Sequence, residues 1–224
     1  MSLRKEPTLV RDDPDRAPLV GNVKVTREDW LNISRNVLIE AGVGDIKILS
    51  LAERMGVSRS SFYWYFQNRR DLLEALLQEW EVRNTQSILA NCALASRNMT
   101  EAACNFFRCF LDQSKFDHRL DFAVREWARR DQAVHARIKD ADEKRLAAVN
   151  AMFIRHGYDA YDAECRARVL YYMQIGYHAL DVREPTSLRL SRVRGYLQSF
   201  IGHDADQAAL DDFAGFARAA RPDP

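Results

Sequence analysis

Proline is all but missing from the interior of this chain. Pro7, Pro14 and Pro18 lie near the start and Pro222 and Pro224 at the end, so only Pro185 interrupts what lies between. Glycine is also scarce, nine in 224 residues. A chain with so few breakers is expected to be all-helical, and it is long enough to bury a substantial core in one domain or two. Long apolar runs are missing as well. No window approaches the ~18 uninterrupted apolar residues that span a bilayer, and no signal-like run follows the N-terminus, so a soluble, cytoplasmic protein without a membrane partner is expected. The four cysteines, Cys92, Cys104, Cys109 and Cys165, form no Cys-x-x-Cys pair. Buried free thiols are the plain expectation, with a redox role left open. His118, His135, His156, His178 and His203 include no pair four residues apart, so no metal site is expected. There is no glycine-rich phosphate loop and no nucleophile motif, which leaves neither a catalytic residue nor a cofactor to propose.

Charge is balanced overall, 33 basic residues against 32 acidic, but one stretch stands apart. Arg54, Arg59, Arg69 and Arg70 fall in a run that holds no acidic residue. Local basic charge on a neutral protein suggests a specific docking face. Just before and through this run, Ile48, Leu51, Ala52 and Met55 recur at spacings of three and four, one apolar face of a helix. Gly56-Val57 breaks it, glycine being suited to the left-handed cap conformation. Ser58 is placed to cap the next helix through its hydroxyl. On that helix Phe62 and Phe66 can face the helix before it, while Ser60, Tyr63 and Trp64 fall on the opposite side and Arg59 at the leading end. A second helix with such an outward face is what a helix-turn-helix places in a DNA groove. An ordinary helical hairpin is the alternative, but it leaves Tyr63, Trp64 and Tyr65 on an element too short to bury all three.

From about Thr26 to Trp80 the chain resembles the tetracycline-repressor (TetR) family of bacterial transcriptional regulators. The resemblance rests on GVSRSSFYWYFQNRRDLLEAL, residues 56–76, set against that family's Gly-Val-Ser, Leu-Tyr-x-His-Phe and Asn-Lys-x-x-Leu-Leu pattern. It implies base-reading positions for Arg59, Ser60 and Ser61, and phosphate contacts for Tyr63 and Tyr65. Arg69 stands where the family usually has lysine. Phe62 replaces the usual leucine, and Tyr65 replaces a common histidine while keeping a donor for phosphate. Ile48 and Leu49 stand where small polar or basic residues are frequent, which leaves Lys47 as the phosphate partner from the second helix. Beyond Trp80 the resemblance is one of architecture. It also implies a double-stranded DNA operator and repression by blocking a promoter.

Punctuation sets the remaining boundaries. Residues 1–24 are polar, with three prolines and mixed charges, and read as a flexible arm. Thr26-Arg27-Glu28-Asp29 opens the first helix as a capping box, Gly42-Val43-Gly44 closes it, and a DNA-binding domain over 25–70 follows. Asn68, with Asp71 three residues on, caps a helix through Leu72, Leu73, Leu76 and Trp80 into a helical body over 71–224. There the spacing predicts helices opening at Thr100, over LDFAVREWARRD, and from about Gln132 to Arg155 with a charged outer face, DADEKR. Another runs from Asp162 to Asp181 and another starts near Pro185, with a short surface helix after Asp204. From Ala167 to Leu180 the only charged or amide-bearing residues are Arg168, Gln174 and His178. Such a helix must be covered on more than one side, by the body core and by a second subunit, as a homodimer does with a four-helix bundle.

The body is also rich in aromatic residues with a few polar handles, as small-molecule sites are. Phe106, Phe107 and Phe110 on one helix, Arg125 and Trp127 on another, and Tyr171, Gln174, Tyr177 and His178 on a third are the candidate effector contacts. Plain core is the alternative for the aromatics, and a surface ion pair with Glu126 or Asp121 for Arg125. The sequence is thus read as a DNA-binding transcriptional regulator, a repressor released by a small, mostly apolar ligand. The alternatives are a ligand-independent regulator or an all-helical protein-interaction module.

Overall fold

The computed structural model describes residues 25–112 and 114–223, all of whose regular structure is helical. The arm expected over residues 1–24 lies outside them. The chain divides into two compact units, one ending at Leu76 and the other starting at Leu77.

In the first unit, helix α1 (Arg27–Ala41) opens on the capping box: Thr26 Oγ1 accepts from Asp29 N–H, and the Asp29 carboxylate accepts from Thr26 N–H. Its inner face carries Trp30, Leu31, Val37 and Leu38, all buried. Helix α2 (Ile48–Met55) ends on Gly56, whose φ of 65° and ψ of 30° are left-handed. The next segment, Arg59–Trp64, is a 3-10 turn rather than the α-helix that the spacing predicts. Its core is aromatic. Phe62 meets Trp30 edge-on at 5.2 Å and lies over Phe66 at 5.4 Å. Burial of a phenylalanine of this kind contributes about 2–3 kcal/mol, which helps to seat a segment of six residues. Helix α3 (Arg69–Trp80) follows, its first turn tied by Asn68 Oδ1 accepting from Asp71 N–H at 3.1 Å.

In the second unit, α3 continues through a wide π-type turn at Glu81–Thr85 into α4 (Gln86–Ala93). Six further helices are α5 (Met99–Leu111), α6 (His118–Ala128), α7 (Gln132–Arg155), α8 (Ala160–Ala179), α9 (Thr186–Ile201) and α10 (Gln207–Ala220). Short polar residues start most of them. The side chains of Asn98, Asp117, Asp131, Asp159 and Asp206 accept from backbone amides one turn on, each such cap contributing about 1 kcal/mol. Asn98, not Thr100, therefore sets the start of α5. At the end of α9 Gly202 takes a φ of 79°, and a Cβ there would lie 2.5 Å from Arg166 Nη2. That guanidinium donates through Nη1 to the Phe200 carbonyl, closing the helix end.

Helix α7 packs on α8, α4 and α6, while α5 packs on α4 and α10. Phe106, Phe110, Met152, Phe153, Leu170, Tyr171, Leu197 and Phe213 belong to one continuous core. The last helix packs one face on the body, with Leu210, Phe213 and Ala217 buried and the rest of it outside, and Thr100 Oγ1 accepts from Asp206 N–H at 3.0 Å. Of the thiols, Cys92, Cys104 and Cys109 are buried, whereas Cys165 is exposed, against expectation. Burial pushes the Cys92 and Cys104 thiols up to about 12.

Candidate nucleic-acid interface and effector site

Seating Phe62 and Phe66 inward turns the rest of their segment outward. Trp64 is 84% exposed and Tyr63 48%. Arg59 and Ser60 are exposed beside them, as is Lys47 at the N-cap of α2. Arg59 Nη2 donates to the Tyr63 hydroxyl at 3.0 Å and its Cζ lies 5.8 Å from the Tyr63 ring centroid. The pair therefore stands together in solvent, offering a planar donor fork next to a phenol. Lys47 meets Asp45, 3.4 Å away and exposed like itself.

Three side chains of the same group turn back into the protein. Ser61 Oγ donates to the Ser58 carbonyl at 2.8 Å. The Tyr65 hydroxyl donates to the Val25 carbonyl at 2.6 Å, which ties the start of α1 to the end of the 3-10 turn. Arg69 donates through Nε to the Ile46 carbonyl at 2.6 Å and through Nη2 to the Val43 carbonyl, bracing the α1–α2 connection against the start of α3. Ser58 does not cap the next segment with its hydroxyl. Its backbone carbonyl accepts from Ser61 N–H at 3.1 Å, and its Oγ pairs with Ser60 Oγ at 2.8 Å.

In the second unit the structure builds a charged centre that the sequence analysis missed. Asp121, on α6, is buried. Its Oδ1 accepts from Trp80 Nε1 at 2.8 Å, from Asn84 Nδ2 at 3.4 Å and from Arg145 Nη1 at 3.1 Å, and its Oδ2 from Arg125 Nε at 2.9 Å. Asp142 accepts from both terminal nitrogens of Arg125 and from the Tyr171 hydroxyl at 2.6 Å. Burial drives the Asp121 carboxyl up, but the guanidinium groups of Arg145 and Arg125 outweigh it and hold the group well below the usual carboxylate range. Arg125 thus gives Nε, Nη1 and Nη2 to carboxylates. Glu126, offered as one of its surface partners, pairs instead with Arg129 at 3.5 Å.

Asp121 is expected only as a surface partner of Arg125; the pair forms, but in the interior, and Arg145, expected only as the end of the charged DADEKR run, is the residue that was missed. The signal for Arg145 is present all the same: Ile138, Ala141, Arg145, Val149 and Met152 follow spacings of three and four, so the arginine lies on the apolar face of α7. It is fully buried.

The expected effector residues are partly gathered. Phe106, Phe110 and Tyr171 share the core, with Phe107 packed against it. Gln174 Nε2 lies 3.0 Å from His178 Nε2, and the His178 ring faces Phe110 at 5.4 Å and Phe116 at 5.8 Å. Burial, followed by the neighbouring His118, pushes His178 down to about 4. Trp127 is buried with Nε1 directed to Asp131 at 3.3 Å. Tyr177 leaves the group, its hydroxyl donating to Glu184 and its ring lying 4.7 Å from Arg189 Cζ.

A segment seated by two phenylalanines behind a helix and a left-handed glycine, with arginine, serine, tyrosine and tryptophan turned outward, defines a helix-turn-helix module. The family model described as bacterial regulatory proteins, tetR family, matches residues 31–76. Over 55 residues the chain is 36% identical to the tetracycline repressor protein class C of Escherichia coli, covering 25% of each chain. It is 41% identical over 49 residues to the class A repressor from transposon 1721 of Escherichia coli, covering 22% of this chain and 23% of that one. Residues 31–76 are thus the part of the chain that is similar to the tetR family of bacterial regulatory proteins. It matches only about a quarter of the length of those two curated relatives. The fold extends further. Mycobacterium smegmatis AmtR superposes with a TM-score of 0.58 at 16% identity, covering 95% of this chain and 100% of that one. A TetR-family transcriptional regulator from Marinobacter aquaeolei VT8 gives 0.58 at 15%, covering 89% and 100%. At such identities the likeness is one of fold.

Proposed function

We propose that this protein is a sequence-specific DNA-binding transcriptional regulator, a cytoplasmic homodimeric repressor released from its operator by a small, mostly apolar ligand. The observation that carries the reading is the outward face of the 59–64 turn. The inward Phe62 and Phe66 leave these positions outside but do not call for a tryptophan or an arginine there, whereas a DNA groove accommodates an arginine fork, hydroxyls and flat rings. In this reading Arg59, Ser60 and Trp64 meet bases, and Tyr63 and Lys47 meet phosphates. Ser61, Tyr65 and Arg69 hold the frame that presents them; the one Tyr65 donor is spent on the Val25 carbonyl, and only Arg69 keeps further N–H groups for a phosphate.

The dimer is supported by a second observation. Helices α8 and α9 each bury one side and leave Tyr161, Val169 and Tyr172, with Leu188 and Tyr196, on the outside. A shared bundle would cover them. Release follows if the ligand binds better to a form of the body that spoils DNA binding; a hundredfold preference supplies about 2.7 kcal/mol of coupling. The family match lies wholly within residues 31–76 and so supports DNA binding, not the identity of any effector.

The test is selection of bound duplexes from a random pool, followed by gel shift across salt. A palindromic consensus whose affinity falls steeply with salt is expected. Equal retention of all sequences, or binding indifferent to salt, overturns the regulator reading in favour of a protein-interaction module.

A further inference from the structure

Arg145 is fully buried in the middle of α7. Its Nε donates to Thr85 Oγ1 at 3.1 Å, and its Nη1 donates to Asp121 at 3.1 Å and to the Tyr171 hydroxyl at 3.4 Å. Its Nη2 has no hydrogen-bond partner among the described residues. The guanidinium plane is flanked by rings, with Cζ 5.2 Å from the Trp80 centroid and 5.9 Å from that of Phe116. A second orphan lies by the same phenylalanine. His178 is centred 5.8 Å from Phe116, and its Nδ1 is buried without a partner among the described residues. With Gln174 donating through Nε2, His178 Nε2 accepts and the ring proton belongs on Nδ1, so this orphan too is a donor. Buried donors of this kind are ordinarily paired.

The charges around Arg145 decide what kind of acceptor fits. Two guanidinium groups, Arg125 and Arg145, face two carboxylates, Asp121 and Asp142, and each carboxylate oxygen already accepts at least one hydrogen bond. The cluster is neutral as it stands, and an added anion would meet Asp121 at close range without a free cation to balance it. An uncharged oxygen takes the Nη2 hydrogens without that penalty. The adjoining rings of Trp80 and Phe116 suit a flat, apolar body.

We propose that Arg145 Nη2, between Trp80 and Phe116, is the polar anchor of the effector site and binds an uncharged carbonyl-type oxygen on a flat, mostly apolar molecule. The inference rests on the reading of the second unit as effector-binding. It moves the polar contact from Arg125, each of whose three nitrogens already donates to a carboxylate, to Arg145. The π-type turn belongs to the same site, because it is the segment that brings Asn84 and Thr85 inward beside Trp80.

The test uses the full chain and three matched probes: 2-acetylnaphthalene, 2-ethylnaphthalene and 2-naphthoate. Calorimetry should show the ketone binding roughly tenfold to hundredfold tighter than the hydrocarbon, and tighter than the carboxylate. In the charge-balanced double variant Asp121→Asn/Arg145→Met the preference for the ketone should vanish while the hydrocarbon still binds. A readout that needs no variant is the carbonyl stretch of the bound ketone, which should lie at lower wavenumber than in an alkane. Equal affinity for ketone and hydrocarbon, an unshifted stretch, a preference that survives the double variant, or no binding by any probe up to its solubility limit would each overturn the assignment. Tightest binding of the naphthoate would overturn the uncharged class and make this an anion site. Operator selection, carried out without probes, judges the regulator reading separately, since loss of DNA recognition would leave these three affinities as they are.

Discussion

At the scale of single residues, identical side chains divide by what their nitrogens already hold. Arg59 stands in solvent against Tyr63, so Arg59→Ala should leave the first unit folded, cost about 1–3 kcal/mol of operator affinity and relax preference at one base position per half-site. Selection of bound duplexes with the variant checks this, and an unchanged consensus would withdraw its base-reading role. Arg69 holds two backbone carbonyls, so Arg69→Ala should instead lower the unfolding temperature of the first unit, at about 1–3 kcal/mol, with the consensus unchanged. His178 gives a pH signature. Burial holds its pKa near 4 in the folded chain against an ordinary 6.5. Between those values the unfolded chain binds a proton that the folded chain refuses, so stability present above pH 6.5 is lost as pH falls towards 4. The loss is at most about 3 kcal/mol. Urea titrations at neutral and mildly acid pH should show it, superimposed on the carboxylates that titrate lower, and His178→Gln should flatten that part of the curve.

At the scale of elements, α7 is the informative one. Its apolar face is interrupted by a charge that only makes sense together with α6, where Asp121 lies, and with the π-type turn that supplies Thr85. Arg145→Met should therefore destabilise the second unit by about 3 kcal/mol or more, because Asp121 loses a buried partner and keeps only Arg125 among its cations. Adding Asp121→Asn should recover most of that loss, as replacement of both members of a buried pair commonly does. Denaturant midpoints of the single and double variants measure the difference. Recovery failing in the double variant would mean that α7 depends on Arg145 for its packing against Trp80 and Phe116 more than for its charge. The 59–64 turn makes the opposite case: it is short, and Phe62 seats it against Trp30 and Phe66 in the core beneath it.

At the scale of the whole molecule, the prediction concerns assembly. Tyr172→Glu combined with Tyr196→Glu places two charges on the outer faces of α8 and α9, where both tyrosines are exposed. Sedimentation should then report a monomer at micromolar concentration, and operator affinity should fall although the 59–64 turn is untouched, since two recognition segments about 34 Å apart would no longer act together. A stable dimer in the double variant would place the interface elsewhere.

Much of this was legible in the sequence because it is local. The bounds of α2 and α7, the capping box at Thr26, the left-handed Gly56 and the inward Phe62 and Phe66 all follow from spacing and cap chemistry within a few residues. The helical class follows from the scarcity of breakers. What escaped is non-local. The 3-10 form of the 59–64 turn does not show in its spacing, and the engagement of Tyr65 and Arg69 depends on carbonyls up to 40 residues away. The same holds for α10, whose burial depends on α5, and above all for Arg145. A charge within a charged run reads as solvated until the partner that neutralises it is known, and Asp121 lies 24 residues earlier on another helix. Periodicity can place a residue on a face, but only the tertiary fold decides what that face meets.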